Sequence, residues 1–374
     1  MEQDFPPPPL SLYIHIPFCL SRCGYCSFFS LPFSKSAIAE YLVFLHKEKA
    51  LYSDLLCTPL TSVYFGGGSP SLLSAEQINK LCQGLQLSSD TEITLEINPI
   101  QINPAFLAAL KTTPVNRLSI GLQSMQDADL VWMDRRHHAE QMADKMKLCR
   151  DYGYDNISLD LIYGLPGSSI AALQLNLDAY LALNPEHISC YLLSLDEDCA
   201  KHEDAANLPD EDLQFAQYEL IRHTLVDSGW QHYEISNFAK AGKASKHNLC
   251  YWQSNNYLAL GASAAGWITP IRYENDANLT EYYRKIDAKV LYPNKQICTA
   301  QRMMEDFLMM GMRLIEGIDI NEFKHRFGKD IDSIYGERIQ RLTKLAMLNI
   351  RDNRLSLTKA ALFVSNSVIG ELIL

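Results

Sequence analysis

Positive charge is scarce in this chain: 33 Lys and Arg stand against 44 Asp and Glu, a formal net charge of −11. Non-specific affinity for a phosphate backbone comes from clustered Lys and Arg, so this balance argues against nucleic acid as a partner. An uninterrupted apolar stretch of about 20 residues, the length of a bilayer span, is also missing. The opening MEQDFPPPPLS has acidic residues and a proline run where a secretory leader needs a basic start and an apolar centre. A cytosolic protein without a membrane span is the expectation. Seven of the ten cysteines (Cys57, Cys82, Cys149, Cys190, Cys199, Cys250 and Cys298) follow no repeating pattern, as suits thiols in a reducing compartment.

The remaining three, Cys19, Cys23 and Cys26 in CLSRCGYC, lack a fourth. Disulfide frameworks need pairs, and a closed zinc site needs four ligands. His15 as a fourth zinc ligand and three unrelated buried thiols both remain open on the residues alone. Against zinc stand the place of His15 in a strand and a C-x3-C spacing unlike the usual C-x2-C knuckle. A [4Fe–4S] cluster held by three thiolates would keep one iron exchangeable, open to a small molecule with an amine and a carboxylate.

Short β-branched runs starting at Ser11, Ser62, Glu92, Asn116, Asn156 and His187 alternate with amphipathic stretches such as AEYLVFLHKEKALYSDLL. Such alternation predicts right-handed βαβ units and an α/β fold, a partial (β/α)6 TIM-type barrel. Unusual polar or glycine residues fall where each strand ends: the cysteines, then Gly66 to Ser69, Glu96 and Asn98, Gln123, and Asp160 with Gly164. Carboxyl ends of barrel strands are where chemistry sits. The expected organisation is a proline-rich tail over 1–10, the barrel over 11–239, an irregular connecting segment over 240–298, and a small winged-helix-like α+β domain over 299–374. WQHYEISNFA reads as one further strand, and LNIRDNRLSLT as a hairpin turning at Asp352-Asn353. The acidic balance favours packing or partner contact over DNA reading for that last domain, and core packing for the methionine face of RMMEDFLMMGMRLIEG.

CLSRCGYC, with SLYIHIPFC, GGGSP, NRLSIGLQS, SLDLIYGLPG and YEISNFA, resembles the radical S-adenosylmethionine (SAM) superfamily and, within it, the oxygen-independent coproporphyrinogen III oxidase group. The likeness runs from about Leu10 to the C-terminus. It implies a radical SAM barrel with the C-terminal domain of that group, and a [4Fe–4S] cluster on Cys19, Cys23 and Cys26. It also implies SAM contacts from Tyr13, Tyr25, Gly67, Gly68, Ser69, Glu96, Gln123, Arg135 and Asp160. Ser69 stands where the group more often has threonine, and Asp134 where it prefers glycine before the arginine. HNLCYW matches the HNxxYW motif of the group's heme-chaperone branch, which makes His247, Asn248, Tyr251 and Trp252 heme candidates. Ala265 stands where that branch commonly has histidine.

Two functions follow from the resemblance. One is a heme chaperone that passes heme to acceptor proteins, with a cluster-dependent dimer compatible with it. The other is an oxidative decarboxylase acting on coproporphyrinogen III, which would carry a fourth cysteine where this chain has Phe28 and a longer extension before the cluster loop. Phe28, the short lead and HNLCYW favour the chaperone.

Overall fold

The structure, a computed structural model, describes residues 9–373. Its frame is one twelve-stranded sheet. Six parallel strands form the expected barrel wall: β1 (Leu10–Ile16), β2 (Leu60–Gly67), β3 (Glu92–Ile97), β4 (Arg117–Gln123), β5 (Ile157–Tyr163) and β6 (His187–Leu192). Neighbours in sequence are neighbours in the sheet, as short right-handed crossovers dictate. Helices such as α1 (Lys35–Leu51), capped by Ser34, cover the outer face.

Period-two alternation divides each strand between two environments. Leu12 and Ile14, Val63 and Phe65, Leu118 and Ile120, and Leu159 and Leu161 are fully buried in the main apolar core with the helices. The alternate positions are polar: Ser11, Tyr13 and His15; Ser62 and Tyr64; Glu92, Thr94 and Glu96; Arg117 and Ser119; Ser158 and Asp160; His187 and Ser189. Burying each outward Leu or Ile contributes about 1.5–3 kcal/mol, so folding is driven at the strand–helix layer and the lumen is left to chemistry.

Two expectations need correction. WQHYEISNFA forms two antiparallel strands, β7 (Gln231–Glu234) and β8 (Asn237–Ala239), with β8 pairing against β6. The segment 240–298 is not irregular. It holds α2 (Lys246–Trp252), β9 (Asn256–Leu260), β10 (Ala265–Ile268), β11 (Ile271–Glu274), α3 (Leu279–Asp287) and β12 (Gln296–Ile297). β9 adds a seventh parallel strand beside β1, and the others extend the sheet antiparallel. Elements this short show no periodicity. The asparagines that suggest loop are instead structural: Asn278 caps α3, and Asn256 Oδ1 accepts from the Thr269 amide at 3.0 Å.

The C-terminal domain is winged-helix-like. It contains α4 (Ala300–Gly311), β13 (Ile318–Asp319), α5 (Ile320–Phe327), α6 (Asp332–Lys344), β14 (Leu348–Arg351), β15 (Arg354–Leu357) and α7 (Ser365–Ile373). The β14–β15 hairpin turns at Asp352 and Asn353, both at positive φ (50° and 61°), the geometry of a two-residue type I′ turn.

Candidate binding cavity

The cysteine loop leaves β1 at Pro17 and closes on itself. Residues Phe18 and Cys19 pair with Leu31 and Pro32, and the Phe33 amide donates to the Cys19 carbonyl at 2.9 Å. Cys19, Cys23 and Cys26 then line the mouth of a cavity of about 460 Å³. Tyr25, Gly67, Gly68, Ser69, Glu96, Gln123, Arg135 and Asp160 line it too. Tyr13 does not: its ring is stacked at 6.2 Å on Tyr64 and its hydroxyl lies 2.9 Å from His15 Nδ1.

The thiols suit a cluster better than one ion. Among the described residues no three His, Cys, Asp or Glu side chains close on a single metal. Thiolates that each hold a different iron of a cubane need not meet at a point. Their polar neighbours are donors: Ser69 Oγ lies 3.8 Å from Cys19 Sγ, and Arg135 Nη1 lies 3.5 Å from Cys23 Sγ. Burial is the largest cause raising the Cys19 and Cys26 thiols above their ordinary range, an energetic cost that ligation by a cation removes.

Behind the thiols, backbone replaces side chain. Gly67 has φ 112°, and a Cβ on it would fall 2.6 Å from the His15 ring; one on Gly68 would fall 2.9 Å from Cys19 Sγ. Only glycine allows a ligand and the cluster loop to approach this closely. The Gly67 amide donates to Glu96 Oε2 at 3.1 Å, and the Tyr64 hydroxyl to Oε1 at 2.9 Å. Burial pushes Glu96 up to about 7 against these bonds, and Asp160 up to about 6 against the Ser189 hydroxyl and the Arg117 and Arg135 guanidiniums. Two desolvated carboxyls facing one space are suited to hydroxyl or cationic groups of a ligand.

Asp134 adopts φ 58°, the left-handed conformation that favours glycine. Its carboxylate lies 3.6 Å from Lys201 Nζ, so the turn that aims Arg135 at Cys23 and at the Gly121 carbonyl is kept.

The heme candidates lie at the other end. α2 caps the amino ends of the strands, where Glu92 accepts from the amides of Lys246 at 3.1 Å and His247 at 3.2 Å, the first turn of that helix. His247 is 1% exposed, with Nδ1 2.8 Å from Ser62 Oγ and Nε2 2.8 Å from the Tyr251 hydroxyl. Burial holds it neutral, down to about 3. Both ring nitrogens are engaged within the protein. The Trp252 ring lies under the Arg313 guanidinium at 5.7 Å, away from the mouth. Asn248 alone of the four lines the cavity, at its floor. Ala265, exposed at the start of β10, pairs with Glu274.

Sequence inspection missed several lining residues: Tyr64, Arg117, Ser119, His187, Ser189 and Tyr191. The signal was the period-two polar positions inside otherwise apolar strands. Besides facing Asp160, Arg117 has Nε 3.8 Å from Glu92 Oε2.

Comparison with known proteins adds to this geometry. The radical SAM superfamily model matches residues 13–178, and the HemN C-terminal domain model residues 298–364. The chain is 30% identical to the heme chaperone HemW of Lactococcus lactis, over 98% of each chain. It is 32% identical to the heme chaperone HemW of Bacillus subtilis, over 96% of this chain and 98% of that one. Among solved structures, coproporphyrinogen III oxidase (HemN) from Escherichia coli superposes with a TM-score of 0.85 at 21% identity, covering 99% of this chain and 91% of that one, a likeness of fold.

Proposed function

The chain belongs to the HemW family within the radical SAM superfamily, and on that footing we propose that it is a heme chaperone. It holds a [4Fe–4S] cluster, binds SAM, takes up heme and hands heme to acceptor proteins. The observation that carries the reading is the gathering of three thiols, a glycine cradle and two raised carboxyls at one mouth, in a chain like HemW from end to end.

Cys19, Cys23 and Cys26 would hold the cluster, which when bound supplies an exchangeable iron and an electron source. Gly67, Gly68 and Ser69 leave room for the amine and carboxylate of SAM. Glu96 and Asp160 orient its hydroxyls, Gln123 and Tyr25 wall the space, and Arg135 places positive charge beside Cys23. Tyr13 acts from behind, holding Tyr64 and His15. Phe28, 70% exposed at the mouth, offers no thiol where the decarboxylases carry a fourth.

Anaerobic reconstitution followed by heme titration, heme transfer to an apo-heme protein and incubation with coproporphyrinogen III tests the proposal. Stoichiometric heme binding and cluster-dependent transfer are expected. Protoporphyrinogen formed at catalytic rates would sink it. His247→Ala is expected to leave heme affinity within about twofold, a change below roughly 0.5 kcal/mol, while lowering stability. A tenfold loss of affinity in folded variant would make His247 a ligand after all.

A further inference from the structure

The cysteine loop is gripped by a segment far from it in the chain. Inside the loop the Cys26 amide donates to the Cys23 carbonyl at 3.2 Å, and Arg22 Nη2 to the Cys26 carbonyl at 3.0 Å. The two carbonyls between them are taken from outside: the Lys201 amide donates to that of Gly24 at 3.0 Å, and the Cys199 thiol, 174 positions beyond Tyr25, to that of Tyr25 at 3.1 Å. The Lys201 side chain then crosses the same turn. A Cβ on Gly24 would fall 2.7 Å from Lys201 Cε and 2.5 Å from Asp134 Oδ2, so glycine is what lets the lysine lie flat here. Its ammonium ends 3.6 Å from the Asp134 carboxylate and 5.1 Å above the Trp132 ring. Asp134 in turn precedes the arginine aimed at Cys23.

The gripping segment is itself fastened. Its turn is closed by the Cys199 amide on the Asp196 carbonyl at 2.9 Å and the His202 amide on the Cys199 carbonyl at 3.0 Å. Leu195 at its start and Leu208 at its finish pack, with Tyr25, in a small apolar core around Leu130 and Met133 that is separate from the main one. A thiol is a weak donor, yet the groups that brace metal ligands from behind are worth about 10–100-fold in metal affinity. We propose that residues 195–208 form a strap that sets the cysteine loop, with Cys199 and Lys201 as positioning residues. Cys199 fixes the carbonyl next to Cys26, and Lys201 ties the Gly24 turn to the Arg135 turn, so that Cys23, Cys26 and Arg135 move as one body. The strap's purpose rests on the reading that the three thiols hold a cluster; its grip on the loop does not.

Grip and purpose are read separately. In the full-length apo-protein, hydrogen exchange over residues 22–27 reports the grip. After anaerobic reconstitution, the rate of iron loss to EDTA and the electron paramagnetic resonance signal of the dithionite-reduced cluster report the purpose. Cys199→Ala and Lys201→Ala should each speed the exchange at least about fivefold and the iron loss at least about tenfold, with shifted g-values and an unchanged urea midpoint. Cys199→Ser, which keeps a donor, should recover both rates, and Glu203→Ala, exposed on the same strap, should behave as wild type. Lys201, whose side chain is 21% exposed, keeps the test open should Cys199→Ala misfold. Wild-type exchange in the folded alanine variants would overturn the strap, and so would wild-type iron loss from variants whose loop has loosened. Cys199→Ser recovering neither rate would overturn the role of Cys199. A wild-type chain that takes up no cluster would defeat the cluster reading, and the exchange rates would still decide the strap.

Discussion

Asp134 shows how one residue can depart from its group's pattern without losing the geometry. A carboxylate side chain tolerates the left-handed region better than an alkyl one, because it can bond locally, and here it also reaches Lys201. Asp134→Ala should therefore cost about 1 kcal/mol and Asp134→Gly close to nothing, read from urea midpoints of the apo-protein. Equal losses in both would make the ion pair, not the backbone, the important feature. Glu48 on α1 is a second residue with a measurable signature. Fully enclosed, it accepts from the Tyr282 hydroxyl at 2.6 Å, the Gly261 amide at 2.8 Å and Asn275 Nδ2 at 2.6 Å, and burial pushes it from 4.5 up to about 7. Between those two pH values the native state keeps a proton that the unfolded chain has lost. Its stabilisation is thus complete below about pH 4.5 and disappears as pH rises through 7, at most roughly 3 kcal/mol. The stability difference between wild type and Glu48→Gln, followed by denaturant unfolding from pH 5 to 8, should fall with pH; a flat difference would mean that Glu48 is ionised throughout.

At the scale of elements, α2 depends on a strand rather than on its own propensity. Seven residues are too few to hold a helix in water. Its first turn is fixed by Ser245, which accepts from the Asn248 amide at 3.3 Å, and by the Glu92 carboxylate. Ser245→Ala should cost about 1 kcal/mol. Glu92→Ala should cost roughly 3–5, since it also strips Arg117 of its counter-charge. Thermal unfolding that ranks Ser245→Ala as the worse of the two would refute this ordering. The same elements show what the sequence made legible. Cys19, Cys23 and Cys26 lie within one loop, and β1 to β6 each begin a long βα repeat, so local spacing revealed both. Arg117 and Glu92 sit on different strands, 25 positions apart in the chain, and nothing local pairs them. The burial of His247 was illegible for a related reason: beside Tyr251 and Trp252 it has the composition of a heme pocket, and its contact with Ser62, far back in the chain, sets it in the interior.

Across the whole molecule, the C-terminal domain holds the end of the barrel that the cluster loop does not. Ile235 donates to the Arg313 carbonyl at 3.2 Å, Ile315 to the Tyr233 carbonyl at 3.1 Å, and Arg326 Nη1 to the Ser254 carbonyl at 3.0 Å. With Arg313 over Trp252, these contacts brace β7 and α2 together. A chain ending at Cys298 should therefore exchange the Leu249 to Gln253 amides at least about tenfold faster by mass spectrometry, while β2 to β5 keep their protection. Unchanged exchange in α2 would show that the barrel seals itself.

α2 lies across the amino ends of the strands and the cysteine loop borders the opposite mouth, so SAM bound at Gly67 to Ser69 would stand between solvent and the polar interior of the cavity. Water beneath it would then renew only as SAM leaves, and the hydration of the interior would follow the residence time of the ligand.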